Sequence, residues 1–261
     1  MTSAPTAAAR RVAKAGVQLI NTARATGARG YRSAGFAADG YCIEPGFVDA
    51  RAAAAILADV ERFTDRAVTA SGVDGVVLRD RAKRQQRDLN VRQLTHAEAL
   101  SPTLGELLRS GRIERAFAGL TGRALRIGGI TVQIDWPDTE TKRGLHVDSH
   151  WPTTFKAFVY LTPVRSPANG PFCVVPGSHR HRVRKLRAIA GDYLTGRDHT
   201  DLDHEYSMDE AVPLLGEPGT SIFADQRLAH AGCPEHTTGT RVMAVAYLYD
   251  EGTRPPAFLG H

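Results

Sequence analysis

The sequence predicts a mainly β domain with flanking helices, a double-stranded β-helix of the jelly-roll, cupin-like kind. Three observations predict it. Helical spacing of apolar residues is confined to the first half, and from residue 124 the texture turns to short β-rich runs bounded by Gly and Pro. Helices followed by strands point to an antiparallel core with helices packed against it. Lastly, His146-Val147-Asp148 lies far in sequence from His230. A jelly roll makes such distant strands neighbours.

Taken in chain order, residues 1–34 read as a basic leader segment. Residues 1–38 carry Arg10, Arg11, Lys14, Arg24, Arg29 and Arg32 and no acid, so a formal net charge of +5 falls to −1 once these six are set aside. The positive balance therefore belongs to the leader. Its composition fits a surface helix over 8–28 and also resembles a transit peptide. A domain over 35–261 follows. Gly35 to Ile43 reads as a turn entering a strand, and Phe47, Ala50, Ala54, Leu57 and Val60 space a helix over 47–66. Residues 76–93 are dense in arginine (Arg79, Arg81, Arg84, Arg87, Arg92), as a solvated loop or helix face, or as a grip for an anionic substrate. A helical pattern covers 101–120, with Ser101 as N-cap and Pro102 at the first helical position.

Strands are expected over 125–134, 156–162, 173–176, 219–224 and 241–249, where β-branched and aromatic residues concentrate. Residues 179–213 read as an insertion, basic then acidic, and as a lid or substrate-recognition segment.

The length of 261 residues fits one domain with insertions. No run approaches the roughly 18 apolar residues of a membrane span. Cys42, Cys173 and Cys233 are odd in number and form no C-x-x-C pair, which argues against a disulfide framework or a zinc site and for a cytoplasmic setting. The basic runs lack interleaved aromatics, so no nucleic-acid partner is expected. The oligomeric state is not legible.

The chemistry centres on His146, Asp148 and His230. Residues two apart on a strand share a face, so His146 and Asp148 reach one ion from one strand end. Two histidines and one carboxylate form the set that holds non-haem iron(II) and leaves positions open. Arg241, eleven residues past His230, opens the last strand. Its guanidinium suits the distal carboxylate of 2-oxoglutarate. His150 and Trp151 continue the ligand segment as substrate contacts, and His236 competes with His230 as a candidate distal ligand.

With Phe36 to Tyr41, the His146-Val147-Asp148 triplet, Asn169-Gly170-Pro171 to Pro176-Gly177-Ser178-His179, His230 and Arg241, the chain resembles the phytanoyl-CoA hydroxylase-like branch of the iron(II)/2-oxoglutarate dioxygenases over roughly residues 35–250. The resemblance implies iron(II), 2-oxoglutarate and dioxygen, with release of succinate and carbon dioxide. It places Gln133 at the C1 end of the co-substrate and Thr220 beside Arg241. Polar residues around the expected pocket point to a polar small molecule, such as a glycoside, an aminoglycoside or an amino-acid derivative of natural-product tailoring. The reaction would be hydroxylation or oxidative cyclisation at an unactivated C–H bond. Two other readings stay open: a divalent-metal cupin-type isomerase or lyase, and a non-enzymatic jelly-roll binding protein.

Overall fold

The first helix forms because its two ends are closed locally. The computed structural model describes residues 31–67, 77–80, 91–137, 143–148, 154–195 and 201–250, with single helical positions at 16 and 20. In α1 (Ala34–Asp39) the Ser33 hydroxyl accepts from the Phe36 amide, and Gly40 ends the helix at φ 81°. A Cβ on Gly40 would stand 2.5 Å from His179 Nδ1, so glycine is required twice over. β1 (Tyr41–Glu44) follows directly. α2 (Ala50–Ala67) starts on the Asp49 carboxylate, which accepts from the Arg51 and Ala52 amides at 2.8 and 3.3 Å. Its buried Ala53, Ile56 and Val60 lie on one stripe.

Two short strands, β2 (Val77–Asp80) and β3 (Val91–Thr95), occupy the arginine-rich stretch and pair antiparallel. The expected loop or helix face is strand at 77–80 and 91–95, and residues 81–90, with Arg81, Arg84 and Arg87, lie outside the described residues. The single helix expected over 101–120 is two, α3 (Pro102–Arg109) and α4 (Arg112–Thr121). Gly111 at φ 65° breaks them. Ser101 caps α3 as expected, accepting from the Leu104 amide.

The remaining strands are β4 (Leu125–Asp135), β5 (Thr154–Tyr160), β6 (Phe172–Val174), β7 (Val212–Leu214), β8 (Ser221–Asp225), β9 (His230–Gly232) and β10 (Arg241–Asp250). A seven-stranded sheet runs β1-β8-β5-β10-β4-β3-β2, and a three-stranded sheet runs β7-β6-β9. Every pairing is antiparallel. The helices cover the outer face of the large sheet, where Phe36, Ile56, Leu104, Phe117, Phe155 and Phe223 pack together. Between the two sheets lie Phe158, Tyr160, Phe172, Ile222, Met243 and Tyr247. The Tyr160 hydroxyl ties the layers, donating to the Leu214 carbonyl at 2.7 Å and accepting from the Phe172 amide at 3.2 Å.

The 179–213 segment, expected as a lid or substrate-recognition segment, is described over 179–195 and 201–213. It carries α5 (Arg182–Thr195), and Ala188, Leu202 and Tyr206 pack on Leu145, Val147, Val175, Ala229 and Ala231. Those residues point opposite to His146, Asp148 and His230, so the described part of the insertion backs the ligand strands. Tyr31 lies just before the boundary expected at 34/35. The Tyr31 ring packs on Phe36 and Phe155, with centroids 5.0 and 6.0 Å away. Its hydroxyl donates to Asp225 and accepts from Arg227 at 2.7 Å. Arg227 pairs with Asp225, and Lys185 of α5 donates to the Arg227 carbonyl. This buried polar knot fixes the turn that delivers His230. Apart from positions 16 and 20, residues 1–30 lie outside the described residues. Among the described residues no helix is long and apolar enough to cross a membrane.

Candidate metal centre

His146 and His230 exchange both backbone hydrogen bonds, each amide donating to the other carbonyl at 2.9 Å. Residues opposed in this way present their side chains on one face. The two imidazole centroids are 4.4 Å apart. On the other side of His146 the chain pairs with Asp201, where the Leu202 amide donates to the Leu145 carbonyl at 2.7 Å. Arg143 donates to the Asp201 carboxylate through Nε and Nη2 at 2.9 and 2.7 Å. The ligand segment is thus held from both edges.

Asp148, two residues on, swings to the same face. Its carboxylate lies 3.1 Å from His230 Nε2 and 3.9 Å from His146 Nε2. One donor atom from each of the three residues falls within 4.8 Å of the others. Both histidines direct Nδ1 at a backbone carbonyl, His146 to Gly144 at 2.9 Å and His230 to Leu228 at 2.8 Å. A carbonyl only accepts, so each ring carries its proton on Nδ1 and leaves the Nε2 lone pair for a metal. Burial, then the neighbouring His230, pushes His146 well below the usual histidine range, so it is neutral at pH 7. Burial raises the Asp148 carboxyl, but Lys156 and then His230 overcome that and hold it well below the ordinary carboxylate range. Two imidazoles with Nδ1 turned to the backbone and one ionised carboxylate suit iron(II) or a similar divalent ion.

Arg241 sits at the start of β10, buried between β5 and β4. This is a central strand, so Arg241 is no surface residue of an edge. Its Nε donates to Asp135 Oδ2 at 2.9 Å, its Nη2 meets the same oxygen, and its Nη1 meets the Gly170 carbonyl. Burial lowers its basicity, but Asp135 more than compensates and raises it. Gln133 lies opposite Met243 on β10 and Gln93 on β3, on the same inner face as Asp135. Thr220 is buried at the entry to β8, its side chain against Gly216. His150 and Trp151 lie outside the described residues. His236 donates from Nε2 to the Gly239 carbonyl, 2.7 Å away, and holds a turn.

Three neighbours escaped the sequence reading. Lys156 binds Asp148, Asp135 binds Arg241, and the Phe172 ring lies 5.1 Å from that of His230. Lys156 left a signal: it is the one charged residue in a strand, Thr154 to Tyr160, buried along its whole length.

The chain matches the sequence profile described as "Phytanoyl-CoA dioxygenase (PhyH)" over residues 36–243. It belongs to the phytanoyl-CoA dioxygenase family. An ectoine dioxygenase of Bordetella parapertussis is 28% identical over 219 residues, covering 74% of this chain and 66% of that protein. The chain therefore spans just under two thirds of the length of the curated relatives it matches. Among solved structures, the epimerase SnoN in complex with Fe3+, alpha ketoglutarate and nogalamycin RO aligns at TM-score 0.62 and 21% identity, covering 93% of this chain and 90% of that one. HygX from Streptomyces hygroscopicus with nickel, 2-oxoglutarate and hygromycin B bound aligns at TM-score 0.56 and 18% identity, covering 83% and 85%. These likenesses show that this member of the phytanoyl-CoA dioxygenase family shares the double-stranded β-helix.

Proposed function

We propose that this chain is an iron(II)- and 2-oxoglutarate-dependent dioxygenase that oxidises a C–H bond of a polar small molecule. The observation that carries the reading is the convergence of His146, Asp148 and His230, with both Nδ1 protons committed to the backbone. Iron(II) in such a site supplies the activation of dioxygen, coupled to decarboxylation of 2-oxoglutarate to succinate. The rest is the work of the chain. The two Nε2 atoms and the Asp148 carboxylate hold the ion. Arg241 takes the distal carboxylate of 2-oxoglutarate, supported by its burial and by the clamp of Asp135 and Gly170 on its guanidinium. Gln133 serves the C1 end, supported by its place on the inner face of β4. Thr220, buried near the start of β8, assists the distal end. Phe158, Phe172 and Tyr247 line the space between the sheets and exclude water.

The substrate class is a glycoside, an aminoglycoside or an amino-acid derivative, with hydroxylation or ring closure as the outcome. Support comes from relatives and neighbours that act on or bind ectoine, nogalamycin RO and hygromycin B. His150 and Trp151 are proposed to contact it. The test is succinate release with iron(II), 2-oxoglutarate and oxygen across a panel of such metabolites. Stimulation by one of them, lost in Asp148→Ala, supports the reading. Metal binding without consumption of 2-oxoglutarate would favour a cupin-type isomerase or lyase, and no metal binding would favour a binding protein.

A further inference from the structure

Lys156 stands on the inner face of β5 at 8% exposure. Across the strands it faces Tyr247 on β10 and Ala224 on β8. Its ammonium donates to Asp148 Oδ2 and otherwise meets aromatic faces, with the Tyr247 and Phe158 centroids at 4.9 and 5.8 Å. Among the described residues Asp148 is the carboxylate at ion-pair distance from it. A buried cation therefore shares its anion with the metal site. When a dication occupies the two Nε2 atoms and Asp148, one carboxylate serves two cations at short range, and like charges in a weakly screened space repel. An organic anion brought to the same centre relieves that repulsion.

We propose that Lys156 is a positioning residue that makes metal binding and organic-anion binding interdependent. It holds Asp148 Oδ2, the oxygen 3.1 Å from His230 Nε2, and it opposes a dication that arrives without a carboxylate-bearing partner. The inference rests on the iron and 2-oxoglutarate reading above. Coupling of this kind is reciprocal: 2-oxoglutarate tightens the metal by the factor by which the metal tightens 2-oxoglutarate.

The test uses the full chain without oxygen, with Mn(II) as the metal probe. Calorimetry gives the Mn(II) affinity with and without 2-oxoglutarate for the unaltered chain, Lys156→Met, Lys156→Gln and Lys156→Arg, with circular dichroism melts to establish folding. Lys156→Met is expected to bind Mn(II) alone about tenfold more tightly, and the tightening by 2-oxoglutarate should shrink about tenfold. Lys156→Gln keeps a donor for Asp148 but no charge and should lose the coupling as well. Lys156→Arg should retain it. A residue that merely supports the fold would weaken both ligands and leave their ratio alone. An unchanged coupling factor in folded Lys156→Met or Lys156→Gln, or weaker Mn(II) binding in both, overturns the proposal. Failure of the unaltered chain to bind Mn(II) or 2-oxoglutarate overturns the functional reading first, and this inference with it.

Discussion

Two carboxylate–cation pairs face the space between the sheets, and they differ in how they are closed. Asp135 and Arg241 are sealed, their side chains 5% and 7% exposed. Asp148 and Lys156 are open on one side, with Asp148 at 26% and Lys156 at 9%. The sealed pair fixes the guanidinium in place through Nε and Nη2. The open pair keeps a carboxylate whose oxygens also face two imidazole nitrogens. A fully buried ion pair is a poor metal ligand, because its lone pairs are already committed. Openness leaves the Asp148 carboxylate available to a metal ion.

The largest effect should come from removing a ligand. Asp148→Ala and His230→Ala are each expected to abolish iron(II) binding and succinate formation, read by metal analysis and product assay. Asp148→Ala should cost less stability than loss of a sealed carboxylate, since solvent reaches the Asp148 side of its pair. Asp135→Ala should do the reverse and cost roughly 3–5 kcal/mol, because it strands the buried guanidinium. Equal stability losses in the two variants would break the comparison.

Next in size, Arg241→Met is expected to weaken 2-oxoglutarate binding by about 30-fold or more, as truncation of one partner of a buried charged pair costs roughly 2–5 kcal/mol. Calorimetry on the metal-loaded protein checks it, and unchanged affinity would remove Arg241 from the site.

Acid should separate the polar knot from the open pair. Burial, with Arg227 and Lys185 nearby, lowers His179 to about 4 from 6.5. A lowered histidine pKa means the unfolded chain takes up the proton first. Stability is therefore full above pH 6.5 and lost as pH falls toward 4, at no more than about 1.4 kcal/mol per pH unit. Lys185, lowered to about 7 from 10.5 by burial and then by Arg227, acts in the same sense, with its contribution falling from about pH 10.5 through 7. Asp148 is also lowered, and its contribution is lost only below the ordinary 3.8. Denaturant melts of His179→Gln should flatten the window between 6.5 and 4 and leave the lower one. The smallest effect is expected for Ser101→Ala, about 1 kcal/mol from a lost helix cap, with metal binding untouched.

The sequence was most legible where elements are long and periodic. β4, β5, β8 and β10 stood out because their β-rich runs persist for five residues or more. β7 and β9 hold three residues each, too few to display a period, whereas β6, expected over 173–176, lies over Phe172–Val174. The metal ligands were readable all the same, since their residue types and spacing carry the chemistry without help from β9. β2 and β3 were hidden by arginines interrupting short apolar runs. The helix over 101–120 was read through Gly111 because the apolar spacing continues on both sides of it. Lys156 and Asp135 were missed for another reason. Each is explained by a partner across a sheet or a loop, and no local pattern announces such a partner.

The reciprocal backbone bonds between His146 and His230 set the spacing of the two imidazoles without using either ring. Any pair of residues at these positions would keep the same bite. The frame therefore outlasts its occupant: the ion can be stripped, swapped for a relative or lost to mutation while the scaffold around it keeps its shape.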